Sequence, residues 1–121
     1  MRPIILALVL VFLPRPALAQ EVPAGAVMDL WCGTAFALLA ADTPTDAGDD
    51  KLALAKTYAD GAEMLTKRAL PLYLESGYTD RALAALRADL EKSIASVVRG
   101  PARQNESPPY SFEDCSVLIG Q

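Results

Sequence analysis

Apolar side chains recur along this chain with helical spacing, and the breaks between them are marked by proline, glycine and aspartate. Ile4 to Leu13 is an unbroken apolar run of ten, preceded by Arg2 and broken by Pro14-Arg15-Pro16 ahead of Ala17-Leu18-Ala19. A cationic start, a short apolar run and a small-x-small ending predict a cleaved secretory signal over residues 1–19, with Gln20 at the mature N-terminus. Ten helical residues rise about 15 Å, half of a hydrocarbon core, so the run is short for an anchor. From Ala26 to Ala41, the residues Val27, Trp31, Cys32, Ala35, Leu38 and Leu39 share one broad helical face, which predicts a first helix with Cys32 turned inward. Asp42 to Asp49 reads as a loop, and Asp49 or Asp50 is placed to cap the next helix.

The second helix starts near Asp50. Leu54, Tyr58, Ala62, Leu65, Ala69 and Leu72 form its apolar stripe, opposite a charged stripe of Lys56, Asp60, Glu63 and Lys67. Pro71 removes a backbone donor and crowds the preceding turn, so a break is expected at residues 69–71, with Gly77 ending the segment. A third helix, capped by Thr79 or Asp80 and stopped by Gly100-Pro101, carries the seam Leu83, Leu86, Leu90, Ile94, Val97 and Val98. Its length of about 30 Å makes it the expected central element. Pro101 to Tyr110 reads as a loop, and Ser111 with Asp114 resembles a capping box opening a short helix, Phe112 to Ile119, on which Phe112, Cys115 and Ile119 share a face.

No stretch alternates with period two over strand length. The fold class expected is all-α, a small four- to five-helix bundle in one domain over residues 20–121, the count depending on Pro71. Alanine is abundant, and Ala55, Ala59 and Ala62, with Gly61, are expected to face Ala84, Ala85 and Ala88 across an antiparallel second and third helix.

Composition narrows the function. Without residues 1–19 the chain has 102 residues, with nine cationic and fifteen anionic side chains, a balance of −6, and no histidine. That excludes imidazole-held zinc or haem and histidine-based triads, argues against nucleic acid as a partner, and leaves ordinary globular composition with no second membrane span expected. Export permits Cys32 and Cys115, the only cysteines, to bond. The pair lacks C-x-x-C spacing and reads as a structural staple, not a redox site.

Asp42, Asp46, Asp49 and Asp50 raise the question of a bound cation, but an EF-hand register from Asp42 puts Pro44 at position 3, Ala47 at position 6 and Ala53 at position 12. The loop reads as a solvated linker and helix cap. Asp60 with Glu63 and Asp89 with Glu91 fall on polar faces beside cations, and Ser76, Ser93 and Ser96 have no base at a catalytic spacing. Neither an enzyme nor a cofactor is expected.

One segment departs from the pattern. If the second helix runs through Pro71, Leu70 and Leu74 fall on its charged side. With Tyr73, Tyr78 and Tyr110 they form the candidate surface for a protein partner; the alternative is that a kink at Pro71 turns Leu70, Tyr73, Leu74 and Tyr78 onto the first or last helix. Trp31, beside Cys32, reads as packing around the disulfide.

The general habit, a small exported acidic helical chain with one disulfide, is similar to that of bacterial periplasmic acid-stress chaperones, whose paired cysteines enclose a much shorter loop. No functional residue is carried over from them. The sequence reading is therefore a periplasmic or secreted, non-catalytic protein that binds another protein. The alternatives are a stress chaperone loosened by protonation of its carboxylates and, further off, a small metal protein or enzyme.

Overall fold

The computed structural model describes residues 21–100 and 108–121. The leader over 1–19, Gln20 and most of the expected loop from Pro101 lie outside the described residues. Among those described there are four helices and no strand: α1 (Ala24–Ala41), α2 (Asp49–Glu75), α3 (Asp80–Arg99) and α4 (Phe112–Leu118).

Three apolar clusters hold the helices together, and α1 contributes to every one. Ala26 and Leu30 pack with Ala69 and Tyr73 of α2 and Leu83 of α3. Cys32 and Phe36 pack with Ala62 and Leu65 of α2 and Cys115 of α4. Ala35 and Leu38 pack with Ile94 of α3. The hub is therefore α1 and not α3, which corrects the expectation drawn from helix length. A helix that is apolar all round except for Asp29 and Thr34 can bury several sides at once, whereas α3 has one apolar seam and packs along that seam alone.

The expected alanine interface between α2 and α3 does not form. The two helices scarcely touch, each packing on α1 instead, and Ala84, Ala85 and Ala88 are exposed. The small residues of α2 serve other neighbours. A Cβ on Gly33 of α1 would lie 3.0 Å from Thr66 Oγ1 and 3.3 Å from the Ala62 carbonyl oxygen, so the close α1–α2 approach rests on that glycine. Gly61 makes room for α4, since a Cβ there would lie 2.7 Å from Ile119 Cγ2.

The break expected at Pro71 is also corrected: α2 runs unbroken from Asp49 to Glu75 with Pro71 inside it. Pro71 lies on the exposed side, where the Lys67 carbonyl it leaves without a backbone donor can turn to water. Ala69 and Tyr73, on either side of it, are buried against α1 and α3 and hold the helix in register. The helix ends at Gly77, whose φ of 103° is open to glycine at little cost. The Tyr78 N–H donates to the Tyr73 carbonyl and the Gly77 N–H to the Leu74 carbonyl, both at 3.1 Å, which is a Schellman closure. At the other end of α2 the cap position is Gly48, with Asp49 and Asp50 in the first turn, where helix N-termini favour carboxylates.

Thr79 caps α3 by accepting from the Ala82 N–H at 3.1 Å. Ser111 and Asp114 form the expected reciprocal capping box on α4, and Ser111, through its backbone N–H and its hydroxyl, holds the Asp114 carboxyl below the usual carboxylate range. Cys32 and Cys115 are bonded, with Cα atoms 5.3 Å apart, and fasten α4 to α1.

Candidate functional site

The five residues expected to form a partner surface are dispersed by depth. Tyr73 is 4% exposed and belongs to the core beneath α3, while Leu70 and Tyr78 are half-buried around it. Tyr78 meets Tyr73 edge to face at 5.2 Å. This is the apolar contact that accompanies a Schellman closure, with Tyr73 three positions inside the helix end and Tyr78 just past it. Tyr110 packs edge to face on Trp31 at 5.6 Å, which agrees with the reading of Trp31 as packing beside the disulfide. Burial first, and then the phenols of Tyr78 and Tyr110, push the Tyr73 hydroxyl pKa up. Of the five, Leu74 alone is open to solvent, at 43%.

A second apolar surface lies at the junction of α2 and α4. Phe36 of α1 stacks on Tyr58 of α2 at 5.2 Å, and Phe112 of α4 meets both edge to face, at 6.2 Å from Phe36 and 6.1 Å from Tyr58. Phe36 is buried and Tyr58 half-buried, but Phe112 remains 52% exposed. One turn before Tyr58 on the same side of α2, Leu54 is 45% exposed. Both Leu54 and Phe112 sit on stripes that sequence periodicity assigns to the interior. They are exposed because α4 has only seven residues and the first turns of α2 outrun their cover. Periodicity gives direction around a helix but says nothing of where the neighbouring helix stops.

Two forked ion pairs join α1 to its flanking helices. Asp29, buried, accepts from Arg68 Nε at 2.7 Å and from Nη2 at 2.8 Å, joining α1 to α2. Asp42, at the end of α1, accepts from Arg99 Nε at 2.8 Å and from Nη2 at 2.6 Å, joining it to α3. Arg99, chiefly by hydrogen bonding, holds the Asp42 carboxyl below its ordinary range. Asp29 is the only charged residue in Ala24–Ala41, and a lone acid in an apolar helix requires a cation, a signal that could have been read from the sequence. The charged stripe of α2 pairs along itself, Lys56 with Asp60 and Lys67 with Glu63, each at 2.6 Å and exposed.

By length and hydropathy, α1 could cross a membrane, so composition does not exclude a second span as expected. In this structure 44% of its residues are buried, against the other helices, and its acid is paired with Arg68. Asp46, Asp49 and Asp50 line an open hollow of about 570 Å³ with Lys51. Among the described residues no group of three or more His, Cys, Asp or Glu side chains is placed to hold a metal ion. Asp42, the fourth acid of that loop, is engaged by Arg99.

The described residues form an all-α fold with a central helix, two flanking helices and a short disulfide-bound fourth. No family model, curated protein or solved structure matches the chain.

Proposed function

We propose that this is a periplasmic or secreted protein without catalytic activity of its own, and that it works by binding another protein. The observation that carries the reading is the Leu54–Tyr58–Phe112 surface. Aromatic side chains that are partly exposed yet held by packing supply contact area at low conformational cost, as interface anchors do. The rings are held on three sides: by Phe36 below, by each other, and by the Cys32–Cys115 bond one turn along α4 from Phe112. Leu74, with Leu70 and Tyr78 beside it, is the rival surface at the far end of α2.

Crosslinking in intact cells followed by affinity capture tests this, comparing wild type with Phe112→Asp and Leu74→Asp, each checked for native circular dichroism. Loss of the captured protein in the Phe112 variant alone is the expected result. Loss in the Leu74 variant alone moves the site to the C-terminal end of α2. Equal capture by all three removes both surfaces as the site, and a wild type that captures no protein sets the binding reading aside.

A second reading, a stress chaperone loosened in acid, draws support from the Asp42–Arg99 pair. Arg99 holds the Asp42 carboxyl below its ordinary range, and protonation of Asp42 removes the fork that joins the end of α3 to α1. Near-ultraviolet and far-ultraviolet circular dichroism unchanged at about pH 3 counts against it.

A further inference from the structure

We infer that α3 is a hinged arm that undocks from α1 as a unit about the Gly77 turn, while α1, α2 and α4 stay assembled, and that the Arg99–Asp42 fork is its latch. The inference rests on how unevenly the helices are held, and it does not depend on the binding reading.

The interface of α2 with α1 is long and is reinforced by the buried Asp29 and the close approach at Gly33. The short α4 is covalently bound to α1. The twenty residues of α3, by contrast, include only two buried side chains, Leu83 near its start and Ile94 near its end, and the helix scarcely touches α2. Leu83 lies in the cluster beside the hinge, with Ala69 and Tyr73 of α2. Ile94 is the one fully buried side chain of the distal half, set against Ala35 and Leu38 with the half-buried Leu90, Ala95 and Val98 around it. The hinge, Gly77, has a φ of 103° that glycine adopts at little cost, and its Schellman bonds close the end of α2 without tying it to α3. The latch is the last residue of α3, about 30 Å away along the helix axis. Hinge, arm and latch are thus in series, with the chain beyond Arg99 leading back to the disulfide-held α4, so the motion is an undocking between two tethers. Segments held by few buried contacts are the ones that open below the global unfolding free energy. Undocking bares Leu86, Leu90 and Ile94 on α3 and, on α1, the strip of Trp31, Ala35 and Leu38.

Native-state amide hydrogen exchange on the oxidised protein tests the inference, with the fluorescence of Trp31, the only tryptophan, as a second readout. In wild type, the α3 amides beyond Leu86 exchange faster than those in the middle of α1 and α2, through an opening with weak denaturant dependence. Arg99→Ala speeds α3 exchange alone by about two- to fivefold, the factor an exposed ion pair supplies. In a urea titration, Trp31 emission moves toward the solvent-exposed value at a lower urea concentration in Arg99→Ala than in wild type. The charge exchange Asp42→Arg with Arg99→Asp restores slow exchange, and Lys67→Ala, which breaks a pair within α2, leaves α3 unchanged. The hinged arm is overturned if α3 exchanges in step with α1 and α2 in wild type. The latch is overturned if Arg99→Ala leaves α3 exchange unaltered or speeds all three helices equally.

Discussion

Asp29 illustrates how one side chain can decide which helices meet. Its carboxylate is buried in an otherwise uncharged helix, and a buried acid without a partner is costly, so the Arg68 fork sets the register of α2 on α1. Asp29→Ala is expected to lower unfolding free energy by about 1–3 kcal/mol in urea, toward the lower end because the Arg68 left behind can still reach water. Asp42 carries a pH dependence. Its folded-state affinity for protons is depressed by Arg99, so its contribution is complete above the unfolded pKa of about 3.9 and is lost as pH falls through the lower folded value. Urea titrations from about pH 5 to about pH 2 are expected to show stability falling in that window, with a shallower fall in Arg99→Ala. Gly61 makes a third test at this level. Gly61→Ala puts a Cβ against Ile119 and is expected to cost about 1–3 kcal/mol, with the loosening seen first in amide exchange at the end of α4.

Among the helices, α2 is the one whose own sequence argues against it. A proline in a helix interior costs about 3 kcal/mol locally, and packing of Ala69 and Tyr73 outweighs that penalty. Pro71→Ala is therefore expected to raise the unfolding free energy by a net of about 2 kcal/mol once the greater freedom of the unfolded chain is subtracted, and the thermal midpoint with it. The opposite result would mean that Pro71 relieves a strain that a continuous hydrogen-bonded turn would create. The short α4 shows propensity and covalent constraint acting together. A helix of seven residues is marginal alone, and here it has a complete capping box at one end and a disulfide near its middle.

Across the whole molecule, the Cys32–Cys115 bond spans 83 positions, so that α2 and α3 both lie inside one covalent loop. Cys115→Ser is expected to lower unfolding free energy by about 4–5 kcal/mol by releasing the unfolded chain, a large share of a small domain's stability. Much of this arrangement was legible beforehand. The helical segments, a cap at Thr79 or Asp80, the Ser111 capping box, the solvated stripe of α2 and the cysteine pair all rest on local spacing, and local spacing survives folding because hydrogen-bonded turns and amphipathic faces are properties of a few consecutive residues. The partners of each face were not legible. That α1 is the hub, that Gly61 receives Ile119 and not α3, that Pro71 stays inside a helix, that Tyr73 is buried while Leu54 and Phe112 are exposed, all depend on which elements meet and where each one ends. The sequence by itself determined an all-helical chain with one possible disulfide and the direction each helix prefers to face. Only the tertiary structure decided how those faces were matched, because burial is a free energy shared between segments distant in sequence, and periodicity within one helix carries no information about the length or position of its neighbour.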